Sequence, residues 1–101
     1  MFRGAFTPDV DPAEADIMAV VQKPINQSIF AEISGPPAWK QLPTSFQISG
    51  GDHALPPDIP RLLQKKFNAT TVTVNASHAS FVSHPEETAE LILNATKGSS
   101  R

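Results

Sequence analysis

The chain has 101 residues, 40% apolar and 18% charged, with a net charge of −2 and no cysteine. That length holds one small domain with a modest core. The composition excludes several classes: there is no basic run for nucleic acid or an anionic membrane, no thiol for a disulfide, metal site or nucleophile, and no apolar run near the roughly 20 residues of a membrane span.

Residues 1–10 form a lead-in with no periodicity. They lack a sustained apolar stretch, so no signal peptide is expected and a cytoplasmic location is. Asp11-Pro12-Ala13-Glu14 reads as a helix start, with Asp11 capping, Pro12 at the first helical position and Glu14 at the positive end. Ile17, Met18, Val20 and Val21 supply its apolar side, and Pro24 ends it by Lys23. A second short helix is expected over Ile25–Ile33, where Ile25, Ile29, Phe30 and Ile33 fall at helical spacing. Ser34-Gly35-Pro36-Pro37 is a break.

Ser45–Ser49 is the first strand candidate, ended by Gly50-Gly51. Residues 58–67 read as an amphipathic helix with Ile59, Leu62, Leu63 and Phe67 on one side. The β-branched run Thr70–Val74 is the second strand. Pro85 opens the last helix, with Glu86 and Glu87 in its first turn, Ala89, Leu91, Ile92 and Ala95 buried, and Gly98 as its stop. The order strand, helix, strand, helix implies parallel strands joined by a right-handed crossover. Two strands alone rarely make a stable sheet, so further strands are expected beside them.

Asp52 and His78 each lie just beyond the carboxyl end of a strand, the edge where open parallel sheets build their sites. An aspartate there can hold a histidine in one tautomer while the histidine shuttles a proton. Taken alone the pair is a weak signal, because loops are rich in solvated polar residues.

The surrounding residues sharpen it. Phe46-Gln47-Ile48-Ser49-Gly50-Gly51-Asp52-His53-Ala54-Leu55-Pro56 resembles the strand and loop that deliver the triad acid in α/β-hydrolases. Asn75-Ala76-Ser77-His78 through His84-Pro85-Glu86 is similar to that family's histidine loop and final helix. The stretch from Ala38-Trp39-Lys40 to Pro43 resembles the single-domain esterase branch. The resemblance implies an α/β chain forming the C-terminal portion of an α/β-hydrolase fold, two parallel strands with crossover helices plus N-terminal cap-type helices. Residues 1–37 would be the end of the helical cap and residues 38–101 the last strand-helix-strand-helix of the core. Asp52 and His78 would be the catalytic acid and histidine. The family's nucleophile sits on a Gly-x-Ser-x-Gly elbow earlier in the chain. No such elbow occurs here, since Ser34-Gly35 and Ser49-Gly50 lack the first glycine. The expectation is an esterase fragment, inactive alone, that meets a small ester substrate once an N-terminal half completes it.

Other residues read more plainly. His53 and His84 are expected as solvated loop residues, and the three histidines match no usual metal spacing. No metal or other cofactor is expected. Trp39 is read as packing. Asn26, Asn68, Asn75 and Asn94 all begin Asn-x-Ser/Thr triplets, read as coincidence without a signal peptide. Three function classes stay open: an incomplete hydrolase, a non-catalytic remnant that binds partners or itself through an exposed sheet edge or its uncovered cap helices, and an unrelated small α/β binding domain.

Overall fold

The computed structural model describes residues 1–99. The last two residues of the 38–101 unit lie outside the described residues. In chain order the elements are α1 (Phe2–Phe6), α2 (Pro12–Val20), single 3-10 turns at Gln27–Phe30 and Ala38–Lys40, β1 (Ser45–Ser49), α3 (Asp58–Phe67), β2 (Thr70–Val74), α4 (Ser80–Ser83) and α5 (Pro85–Ser99). The described residues therefore form a mixed α/β chain with five α-helices and one two-stranded sheet.

β1 and β2 pair in parallel, with Ser45 opposite Thr70 and Ser49 opposite Val74. Side chains alternate across a strand, so neighbours on β1 report opposite faces of the sheet. The Phe46 ring meets Phe67 of α3 edge-on at 5.6 Å between centroids, and Trp39 lies 4.6 Å from the same Phe67. Trp39 thus packs, as expected. On the other face the Gln47 side-chain amide donates to Thr88 Oγ1 of α5 at 2.8 Å and to Ser80 Oγ of α4 at 3.1 Å. The result is a three-layer arrangement with α3 on one face and α5 on the other.

Local signals explain the element ends. The Asp11 carboxylate accepts from the Glu14 amide, and Pro12 takes the first turn of α2. Asn68 closes α3 with φ +51°, a left-handed conformation that asparagine tolerates. Asn26 caps the first 3-10 turn by accepting from the Ser28 amide. Two of the four glycosylation-type asparagines thus have a local structural use.

Several expectations need correction. The lead-in is partly helical, as α1. The helix expected over Ile25–Ile33 contracts to one 3-10 turn at Gln27–Phe30, because no neighbouring element covers its apolar residues and propensity alone does not hold a short helix. Gly98 does not stop α5, which runs through it to Ser99. The face of α2 is also different: Ala15 is its buried residue, whereas Ile17, Val20 and Val21 are exposed. On α3 and α5, Leu62, Ala89 and Ile92 are likewise exposed. In the sheet, Ile48 and Val74 are buried, while Val72 is exposed.

The accessible surface of 7680 Å² exceeds the about 5,600 Å² expected for a compact monomer of this mass. The radius of gyration, 15.4 Å, likewise exceeds the about 13 Å of a compact chain of this length. No helix among the described residues is long and apolar enough to cross a membrane.

Ile48 is the largest fully buried apolar side chain, at 2% exposure. We expect Ile48→Ala to cost about 2–5 kcal/mol in urea unfolding. Ile17→Ala, at a residue 61% exposed, should stay within about 0.5 kcal/mol. Equal losses at both positions would show that the core lies elsewhere.

Candidate functional site

The strand pairing continues past both strand ends. The Gly50 amide donates to Val74 O at 2.8 Å and the Gly51 amide to Ala76 O at 2.9 Å. This carries the loop after β1 alongside the loop after β2. Gly51 matters here because a Cβ at that position would sit 3.2 Å from Ala76 O, tight enough to push the loops apart.

Asp52 and His78 meet at the end of this zipped segment. His78 Nδ1 lies 2.9 Å from Asp52 Oδ2. Asp52 Oδ1 accepts from the amides of Ala54 and Leu55, both at 2.8 Å. Each carboxylate oxygen is therefore engaged, and the Asp52 side chain is only 9% exposed. Burial opposes ionisation of this carboxyl, but the Leu55 amide, His78 and the Ala54 amide together outweigh it and hold it below the usual aspartate range. An ionised Asp52 accepts only, so Nδ1 carries the hydrogen of this contact and Nε2 is left outside it. Nε2 makes no hydrogen bond among the described residues. The Phe6 ring stands edge-on to the imidazole at 5.1 Å between centroids.

Two clefts flank His78. One, of about 340 Å³, includes Gln47, Asp52, Leu55, Phe81 and Thr88 in its walls. The other, of about 330 Å³, is lined by Phe2, Phe6, Met18 and Phe81 and is mostly apolar. Both lie at the lower end of the size range of small-molecule sites.

The remaining candidates separate cleanly. His53 is exposed beside Asp52 and takes no part in the pair. His84 is not simply solvated: its Nδ1 lies 2.9 Å from Ser83 Oγ, and Ser83 Oγ lies 2.8 Å from Asp9 Oδ2. Burial works against the Asp9 charge, but hydrogen bonds from the Ser77 hydroxyl and amide and from the Ser83 hydroxyl outweigh it and hold its pKa below the ordinary value. With Asp9 ionised, Ser83 donates to the carboxylate and the His84 N–H donates to Ser83. That is the reverse of base activation, so His84 does not act as a base on Ser83 in this arrangement. Ser80 accepts from Gln47 and Ser77 bonds Asp9 and the Phe6 carbonyl. No serine among the described residues hydrogen-bonds His78. No cluster of three His, Asp or Glu side chains among them could hold a metal ion.

Sequence reasoning missed Phe6, Asp9, Ser77 and Ser83. Their contacts span up to 74 residues of chain, and no short-range spacing encodes them.

The pH dependence of stability follows from Asp52. A carboxyl whose folded pKa lies below its unfolded value, about 3.9, stabilises the fold fully above that value and loses this as pH falls through the folded pKa. Urea midpoints of the wild-type chain should therefore drop as pH is lowered below about 4. Asp52→Asn should flatten part of that drop, and Asp9 contributes a remainder of the same sign. An identical acid profile for Asp52→Asn would mean that the Asp52 contacts carry no stability.

No family model matches the chain, and no curated protein or solved structure matches it.

Proposed function

We propose that this chain carries the acid and the base of a serine-esterase triad on an α/β-hydrolase-type sheet, with the nucleophile supplied by residues outside these 101. The observation that carries the reading is the Asp52–His78 contact at 2.9 Å, made by two loops at the carboxyl edge of a parallel pair, with Nε2 left for a third group. The size of the exposed surface supports a missing partner segment. Its excess of about 2,000 Å² is larger than the roughly 800 Å² that each protein buries in a standard interface.

In the completed enzyme His78 Nε2 takes the proton of the serine hydroxyl as its oxygen bonds the ester carbonyl carbon. The tetrahedral adduct collapses, the C–O bond to the alcohol breaks, and Nε2–H returns the proton to the leaving oxygen. Water then repeats the sequence on the acyl-enzyme, releasing the carboxylic acid and restoring the serine. Asp52 fixes the imidazole orientation and stabilises its cation. The cleft walled by Phe2, Phe6, Met18 and Phe81 suits an apolar group on one side of the ester.

A second reading draws on the exposed Ile17, Val20, Leu62 and Ile92. They suit a non-catalytic module that binds through its apolar faces or an open strand edge, to another protein or a second copy.

Ester hydrolysis separates the two. The 101-residue chain alone is expected to turn over aryl and alkyl esters only at trace level, because loss of a triad nucleophile costs about 10⁶ in turnover. A complementing N-terminal segment with a Gly-x-Ser-x-Gly elbow should restore activity. His78→Ala should then abolish it, and Asp52→Asn should lower it by about 10⁴. Robust turnover by the chain alone that survives His78→Ala would overturn the triad. Stable association with such a segment, without any hydrolysis, would favour the binding module.

A further inference from the structure

The loop that carries His78, residues 75–79, lies between β2 and α4 and has no regular structure of its own. Its grip comes from the other end of the chain. The Ser77 amide donates to Asp9 Oδ2 at 3.0 Å, and the Ala79 amide donates to the Phe6 carbonyl at 3.0 Å. The residues on both sides of His78, Ser77 and Ala79, are thus held by residues 6–9. The Ser77 hydroxyl contacts Asp9 Oδ1 and also lies 3.0 Å from the Phe6 carbonyl. Ser77 and Ala79 are buried, so their polar groups have no alternative partner in water.

We propose that Asp9 is a positioning residue for His78, clamping the amide and hydroxyl of Ser77, the residue just before the histidine, so that the imidazole meets Asp52. Three donors converge on its two oxygens: the Ser77 amide, the Ser77 hydroxyl and the Ser83 hydroxyl. Only a carboxylate of this length accepts all three. An asparagine offers one acceptor oxygen and turns N–H groups toward a donor. Ser83 extends the grip into α4, so the loop is fastened before and after the histidine. Asp9 touches neither His78 nor the two clefts beside it. Its effect on the reaction passes through the backbone of Ser77. The meaning for catalysis rests on the triad reading, whereas the clamp itself is a property of this chain.

The test reads the His78 ring directly. In the ¹⁵N-labelled 101-residue chain, ring nitrogen shifts should show the Nδ1–H tautomer dominating. In Asp9→Ala that preference should be lost in favour of a mixture, with the amide spectrum of the sheet retained. Asp9→Asn, which keeps one acceptor, should fall between the two. In the complemented enzyme Asp9→Ala should lower kcat by about 10²-fold, as expected for a group displaced by about 1 Å, with KM changed by less than about twofold. An unchanged tautomer in folded Asp9→Ala overturns the proposal. So does global unfolding of both variants, since Asp9 would then hold the fold rather than the ring. Loss of the tautomer with no complemented activity upholds the clamp and sinks the triad. Activity that requires His78 yet ignores Asp9→Ala does the opposite.

Discussion

Two backbone hydrogen bonds beyond the ends of the strands, Gly50 to Val74 and Gly51 to Ala76, govern the rest of the site. Parallel pairing alone would bring the two loops to the same edge of the sheet. It would not fix the distance between an aspartate one residue past Gly51 and a histidine two residues past Ala76. Extending the pairing does so with rigid peptide groups rather than mobile side chains. Asp52 is then pinned from within its own loop by the Ala54 and Leu55 amides. The short contact with His78 follows from backbone geometry on both sides. A side-chain pair held this way loses little freedom on forming, which favours a persistent contact.

The sequence was informative wherever a signal was local. The run Thr70-Thr71-Val72-Thr73-Val74 and the proline and aspartate around residue 58 mark β2 and the start of α3 at the residues where they occur. Asp52 and His78 were legible as a pair because both follow strand ends. Periodicity was a poorer guide to which side of a helix is covered. Ile17 and Val20 on α2, and Ile92 on α5, form apolar faces without cover, while the small Ala15 is buried. Periodicity describes a helix, and burial depends on what lies beside it. Residues 25–33 show the same limit, since helical spacing without a packing partner yields only one 3-10 turn. Asp9 was not legible at all, because its partner Ser77 is 68 residues away.

The two halves of the molecule differ in how they are held. Around β1 and β2 the aromatic contacts of Phe46, Trp39 and Phe67 close one face, and the Gln47–Thr88 bond ties down the other. The N-terminal helices have thinner support. α1 and α2 share an Arg3–Asp16 ion pair at 3.5 Å between side chains more than half exposed, and such pairs add little stability. What joins α1 to the rest is chiefly the polar contact of Phe6 and Asp9 with the histidine loop, aided by the Phe6 ring against His78. The longest continuous exposed stretch is residues 20–38, from the end of α2 to the start of the second 3-10 turn.

The long sequence span of the Asp9–Ser77 contact also bears on the order of assembly. Pairing Asp52 with His78 closes a loop of 26 residues, whereas joining Asp9 to Ser77 closes one of 68. From an open chain the longer closure costs about 0.9 kcal/mol more in chain entropy. Contacts of short span form first for this reason, so the sheet precedes docking of the N-terminal segment on the folding path. On the reverse path that segment is expected to detach from the histidine loop by a local fluctuation that leaves the strands paired. Hydrogen exchange at the Ser77 and Ala79 amides would then be governed by release of residues 1–10, and exchange within β1 and β2 by rupture of the whole sheet.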